Sequence, residues 1–180
     1  MTPSPFVAEW IIRLLPALRS HGRRALDVAA GNGRHALVLA HFGFRTFAVD
    51  VKFDAVRAAM EAAARNQRAI SGWCADLTVY PLPVNAFDLV VVTRYLQRDL
   101  FPSLRGALRP GGHIVYETFT VNQRALGTGP TSSDHLLEPG ELAGYFNDWT
   151  IRFSEEVVSP EAVARIVARK PGDRDVTAIG

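Results

Sequence analysis

The chain has 180 residues, enough for one domain with a proper core, and its 48% apolar and 21% charged composition excludes the disordered and fibrous classes. A formal charge of only +2 implies no general attraction to nucleic acid or to membranes. The single cysteine, Cys74, excludes an internal disulfide framework and a cysteine-rich metal site, and fits a reducing cytoplasm.

The first twenty residues read as an amphipathic helix. Phe6, Val7, Trp10, Ile11, Leu14, Leu15 and Leu18 share one stripe, Glu9 and Arg13 lie opposite, and Pro16 bends or ends the segment. Those charges interrupt the apolar stretch a signal peptide needs, and no run is long enough to span a bilayer. Packing against the domain is the expectation, with a dimer contact as the alternative.

After Arg24 short apolar runs alternate with helical patterns, the mark of a parallel α/β sheet. Strands are predicted at 25–30, 45–50, 69–75, 87–93 and 113–119, with helices at about 34–42, 54–67 and 98–108. The run Phe87 to Val92 has a single acid among apolar residues, as a strand covered on both faces should be. Pro110-Gly111-Gly112 ends the third helix and turns the chain. Residues 121–139 have no apolar period and many Gly, Ser, Thr and Pro, so 120–138 reads as a functional loop, a lid over the substrate side. Pro139 starts a helix reaching about Asn147. Residues 149–158 and 162–169 form two antiparallel strands, because the connection is too short for anything else. The tail from residue 171 reads as loose.

The chemistry concentrates where the first strand meets the first helix of the sheet region. LDVAAGNGRHAL, residues 26–37, fits the G-x-G-x-x-[G/A] pattern of dinucleotide loops, ending on Ala36. Gly31 and Gly33 let the backbone approach a ligand closely, and the helix start offers free N–H groups. A tight turn alone would explain that pair of glycines. Three acids shift the reading: Asp27 inside the first strand, Asp50 at the end of the second, and Asp76 after the third. Asp50 can take both hydroxyls of a ribose, and Asp76 can accept from an adenine amine. An acid at Asp27 suits an ammonium and is unwelcome beside a pyrophosphate, so NAD is the weaker competitor. No G-x-x-x-x-G-K-[ST] phosphate loop occurs.

On LDVAAGNGRHAL, FAVD, CADL, FDLVVVTRYL and LRPGGHIVYETF, roughly residues 25–119, the chain resembles class I S-adenosylmethionine (SAM)-dependent methyltransferases. Within them it is similar to small bacterial proteins related to the tellurite-resistance and thiopurine enzymes. The resemblance implies an α/β, Rossmann-like fold over 1–180: a mostly parallel seven-stranded sheet, last strand antiparallel, helices on both faces. It implies SAM as cofactor, with S-adenosylhomocysteine (SAH) as product. Asp27, Gly31 and Gly33 would hold the methionine end, Asp50 the ribose, Asp76 and Leu77 the adenine, and Arg94 would border the methyl group.

Methyl transfer from a sulfonium needs mainly a nucleophile in line and water kept out, so no fixed triad is expected. Thr93-Arg94-Tyr95-Leu96 stands where amine-methylating enzymes usually carry [DN]-P-P-[YF], and Cys74 is misplaced for a cytosine-C5 nucleophile. The candidate catalytic residues are Arg94, Tyr95 and Glu117; the candidate substrate residues are Arg34, His35, Arg124 and His135. Arg34, Arg94 and Arg124 suit an anionic acceptor. No metal is predicted, since His21, His41 and His113 lack ligand spacing. The expected partner is a small-molecule or inorganic oxyanion acceptor, with no nucleic acid and no membrane, and the chain a monomer or homodimer. A SAM sensor or non-catalytic partner subunit is the alternative class, and a macromolecular acceptor a lesser one.

Overall fold

The computed structural model describes residues 2–18 and 21–172. The expected tail, from 173 on, lies outside the described residues, as do the ends of the predicted 1–20 segment. Helix α1, Pro5–Leu14, starts where Ser4 Oγ accepts from Val7 N, with Pro5 in the first turn, where no N–H is needed. Its stripe of Phe6, Val7, Ile11 and Leu14 is buried against the sheet. Pro16 falls in a following 3-10 turn, Leu15–Ala17.

The sheet then alternates with helices: β1 Arg24–Val28, α2 Arg34–His41, β2 Arg45–Asp50, α3 Phe53–Arg65, β3 Ile70–Cys74, β4 Phe87–Thr93, α4 Phe101–Ala107, β5 Leu108–Phe119, α5 Glu141–Gly144, β6 Thr150–Val157 and β7 Val163–Arg169. The order across the sheet is β3-β2-β1-β4-β5-β7-β6. Only β7 runs against the others, pairing antiparallel with β5 and β6 from second place at the edge. β4 is buried along its whole length, as its apolar run requires. Arg109 to Gly112, expected as a turn, instead form a register shift inside β5.

Alternation along each strand sends side chains to two layers. Ala25, Leu89, Val91, Val115 and Val167 meet α1 and α2; Leu26, Val90, Val92, Ile114, Tyr116 and Ile166 meet α4 and the segment from Leu142 to Trp149. The expected helix from Pro139 to about Asn147 is only Glu141–Gly144, because Gly140, not Pro139, caps it in the left-handed conformation and Phe146 and Trp149 turn inward. The 121–139 segment carries two 3-10 turns, Val121–Leu126 and Ser133–His135, and its far end is anchored by the fully buried Leu136 and Leu137. A bridge between Thr120 and Leu137 closes it as a loop tied at both ends. Among the described residues no helix is long and apolar enough to cross a membrane.

Candidate functional site

The order of the strands reverses between β1 and β4, and an open α/β sheet offers its ligand crevice there, beyond the carboxyl ends of the strands. Two adjoining clefts open at that place. One, about 460 Å³, lies between Gly31, Asp50, Val51 and Lys52 on one side and Ala75, Asp76, Leu77, Thr78 and Tyr95 on the other. The second, about 400 Å³, is bounded by Gly31, Asn32, Arg34, Thr93 and Arg94. Ala29, Gly31 and Ala55 border both.

The loop between them is held by carboxylates. Asp50 Oδ2 accepts from Gly31 N at 2.9 Å and its Oδ1 from Lys52 N at 2.9 Å, so this one side chain fixes both the glycine loop and the start of α3. Two oxygens with four lone-pair sites leave room for further donors. Asp76 Oδ1 takes the amide and hydroxyl of Thr78, at 2.9 and 2.6 Å; the hydroxyl first and the amide second hold its pKa below the usual range, so it stays an anionic acceptor. Across the cleft Tyr95 is half-buried, its hydroxyl bonded to Gln97 Oε1; burial foremost, then the charges of Asp76 and Asp50, raise its pKa.

Asp27 sits beneath the loop with no exposed surface. Its Oδ2 accepts from Ala36 N at 2.9 Å, pinning the first turn of α2, while its Oδ1 is buried without a partner. Burial pushes its pKa up to about 8 against the smaller, lowering effects of the Ala36 amide and Arg34. Such an acid favours a cation above it, since a nearby positive charge stabilises the ionised form. Ala29 at φ 51° and Gly31 at φ 53° make the turn off β1. Gly33 answers a different need. It stands at φ 76°, and a Cβ there would lie 2.6 Å from Ala59 Cβ, so its glycine lets α2 and α3 touch. It lines neither cleft.

The remaining candidates divide. Arg94, at φ 51° just past β4, borders the second cleft, lies over the Phe119 ring, and makes a bidentate pair with Glu161 at 2.8 and 2.5 Å. Arg34 borders the same cleft. His35, expected as a substrate residue, is only 1% exposed, its two ring nitrogens bonded to Ser4 N and Thr93 Oγ1, because α1 starts directly over it. Glu117, expected as a catalytic residue, a base or polar anchor, is buried with Oε2 accepting from Arg165 Nε at 2.6 Å and thus committed to an ion pair. Arg124 and His135 are exposed and border neither cleft; Arg124 Nε donates to Thr131 O within its own loop. Sequence reasoning missed Lys52, Thr78, Thr93 and Glu161. Thr78 was findable, since Asp-x-Thr is a turn signature; Glu161 lies 67 residues from Arg94 and left no local trace.

Comparison with known proteins shows what this scaffold resembles. The family described as Methyltransferase domain matches residues 25–112, which span β1 through the register shift of β5. Those residues are therefore similar to a methyltransferase domain, over just under half of the chain. The chain shares its overall fold with solved structures: a SAM-dependent methyltransferase from Mesorhizobium loti superposes with a TM-score of 0.69 at 22% identity, over 91% of this chain and 98% of that one. TehB from Haemophilus influenzae gives 0.70 at 17% identity, over 90% of this chain and 62% of TehB. Among proteins of known activity, a ribosomal protein L11 methyltransferase from Bordetella parapertussis is 33% identical over 109 residues, 59% of this chain and 33% of its own. A ubiquinone biosynthesis O-methyltransferase from Idiomarina loihiensis is 25% identical over 122 residues, 64% of this chain and 50% of its own. The chain thus spans a third to a half of the length of these two relatives.

Proposed function

We propose that the protein is a SAM-dependent methyltransferase whose acceptor is a small anionic molecule, acting in the cytoplasm. One observation carries the cofactor half of this reading: Asp50, at the end of β2, bridges the Gly31 and Lys52 amides at the lip of a cleft closed opposite by Asp76 and Tyr95. That is a ribose acceptor and an adenine acceptor at the two places an adenosine needs them. The buried, unpartnered oxygen of Asp27 under the glycine loop fits the ammonium of a methionine tail, a cation that would stabilise its ionised form, and a pyrophosphate offers no such compensation. SAM, when bound, supplies a methyl group made electrophilic by its sulfonium. The protein's own contribution is to seat that group, to align the acceptor above Thr93 and Arg94, and to keep water out.

The acceptor half rests on charge. Arg34 and Arg94 border the second cleft, Arg94 held in place by its pair with Glu161, and the carboxylate candidate Glu117 is spent on Arg165. A relative that methylates a ribosomal protein and another that works in ubiquinone biosynthesis support the transferase class while differing in acceptor. The cleft volume of about 400 Å³ favours a small molecule. Isothermal titration of the protein with SAM, SAH and NAD, beside Asp50→Ala, tests the cofactor reading. Micromolar binding of the two sulfur ligands, lost in the variant, is expected. Binding of NAD alone would overturn it.

A further inference from the structure

The buried His35 and the hydroxyl of Thr93 form a chain that ends in the second cleft. It starts at Ser4, whose backbone N–H donates to His35 Nε2 at 3.0 Å. An amide has no lone pair to give, so Nε2 carries no proton. Burial first, then the charges of Arg34 and Arg94, lower the pKa of His35 to about 4, so the ring is neutral and its one proton sits on Nδ1. Nδ1 lies 3.1 Å from Thr93 Oγ1, and the direction follows: His35 donates and Thr93 accepts. The proton of Thr93 is left over. Among the described residues no protein atom takes it, and Thr93 ends β4 on the wall of the cleft that Arg34 and Arg94 also border.

We propose that Thr93 is a specificity-determining residue, its hydroxyl donating to an oxygen of an anionic methyl acceptor, and that His35, fixed by the Ser4 amide, is the positioning residue that makes it a donor. The proposal deepens the methyltransferase reading and rests on it for the identity of the second cleft as the acceptor site. With one lone pair taken by Nδ1–H, the hydroxyl has its proton and a single further lone pair to offer, so it favours a carboxylate or an inorganic oxyanion over an ammonium group. Arg34 and Arg94 act in the same sense. The start of α1 thereby sets acceptor choice through one buried ring.

Nitrogen-detected magnetic resonance of the full chain with labelled histidine tests this directly, the His35 signals being assigned from His35→Asn. The expected spectrum has the proton on Nδ1. Selenite, titrated with and without saturating SAH, should shift the Nδ1 signal in the wild type and in Thr93→Ser. In Thr93→Val selenite should bind about tenfold more weakly, or worse, and leave the ring unmoved, as expected for one lost hydrogen bond to a charged group. Methylammonium should do nothing. A proton on Nε2, no response to selenite, an equal response in Thr93→Val, or an equal response to methylammonium would each overturn the proposal. Calorimetry of the same samples keeps the two readings apart. Failure of SAH to bind the wild type sinks the methyltransferase reading, while the SAH-free titration still decides what Thr93 does.

Discussion

The two clefts are built in opposite ways. The first cleft, the proposed adenosine side, takes its two acids from the ends of β2 and β3, each bonded to amides of its own or a neighbouring turn: Asp50 with Gly31 and Lys52, Asp76 with Thr78. The second cleft, the proposed acceptor side, draws on parts far apart in the chain: Ser4 over His35, His35 against Thr93, and Arg94 against Glu161. The first kind of site survives changes elsewhere because each piece is local. The second depends on the whole fold being in register, so it is the side free to diverge in acceptor while the cofactor side stays put.

Substitutions can sharpen or break that contrast. The largest effect should come from Asp50→Ala, which removes the ribose acceptor together with the support of two amides. SAH affinity should fall roughly 100-fold or more, the equivalent of two hydrogen bonds to a charged group, as read by calorimetry. Glu161→Ala on the acceptor side should leave that affinity within about twofold. An equal loss in both would show that the halves are one coupled unit.

Gly33→Ala comes next. A Cβ at φ 76° and 2.6 Å from Ala59 forces strain of about 1–3 kcal/mol, a fall in Tm of roughly 2–12 °C by scanning calorimetry. Gly31→Ala, where a Cβ meets open space, should cost less stability. If the two fall equally, packing against α3 is not what Gly33 supplies.

The third prediction is a pH profile. The raised pKa of Asp27, about 8 in the folded state, gives stability that is complete below the unfolded carboxyl value of 3.8 and is lost as pH rises through 8. His35 and His113 have the opposite sign. Burial lowers both to about 4, so their contribution is complete above the unfolded value of 6.5 and is lost as pH falls through 4. Between 4 and 6.5 the two histidines outweigh the one acid; between 6.5 and 8 only the acid acts. Stability from these groups therefore peaks near pH 6.5 and declines by about 2 kcal/mol toward pH 8. Denaturant titrations of Asp27→Asn should lack that alkaline decline; a decline that persists would place its origin elsewhere.

The smallest effects belong to exposed groups. The Arg94–Glu161 pair, with its side chains 40% and 42% exposed, should contribute less than about 1 kcal/mol to stability, whatever it does for the acceptor. His135→Ala should change neither Tm nor SAH affinity, since His135 borders neither cleft. A loss of SAH binding there would mean that the 121–137 loop reaches the cofactor in solution.

How much of this could be read from the residues follows the same division. The strands were legible because each depends on residues within a few positions of one another, and the glycine loop, Asp50 and Asp76 fall together at one cleft because they stand at the ends of those strands. Gly33 was legible as a glycine and misread in purpose, since its partner Ala59 is on the next helix. His35 was expected to face a substrate directly because nothing in its own neighbourhood announces that α1 begins over it. Glu117 was expected as a catalytic residue, and Arg165, 48 residues away, claims it. The helix expected from Pro139 to Asn147 shrank to four residues, because burial of Phe146 and Trp149 decided the backbone path and propensity did not. Long-range pairings leave no period to count.

The insertion of β7 between β5 and β6 sets the order in which the molecule can come together. The seventh strand to be synthesised is an inner one, so β5 shows a bare, apolar edge until the hairpin of β6 and β7 arrives. A growing chain on the ribosome would carry its five-stranded half with that edge unsatisfied, and such an edge invites pairing with other chains. Closing it is a late, long-range step, so truncation within 163–169 should produce not a smaller protein but an aggregating one.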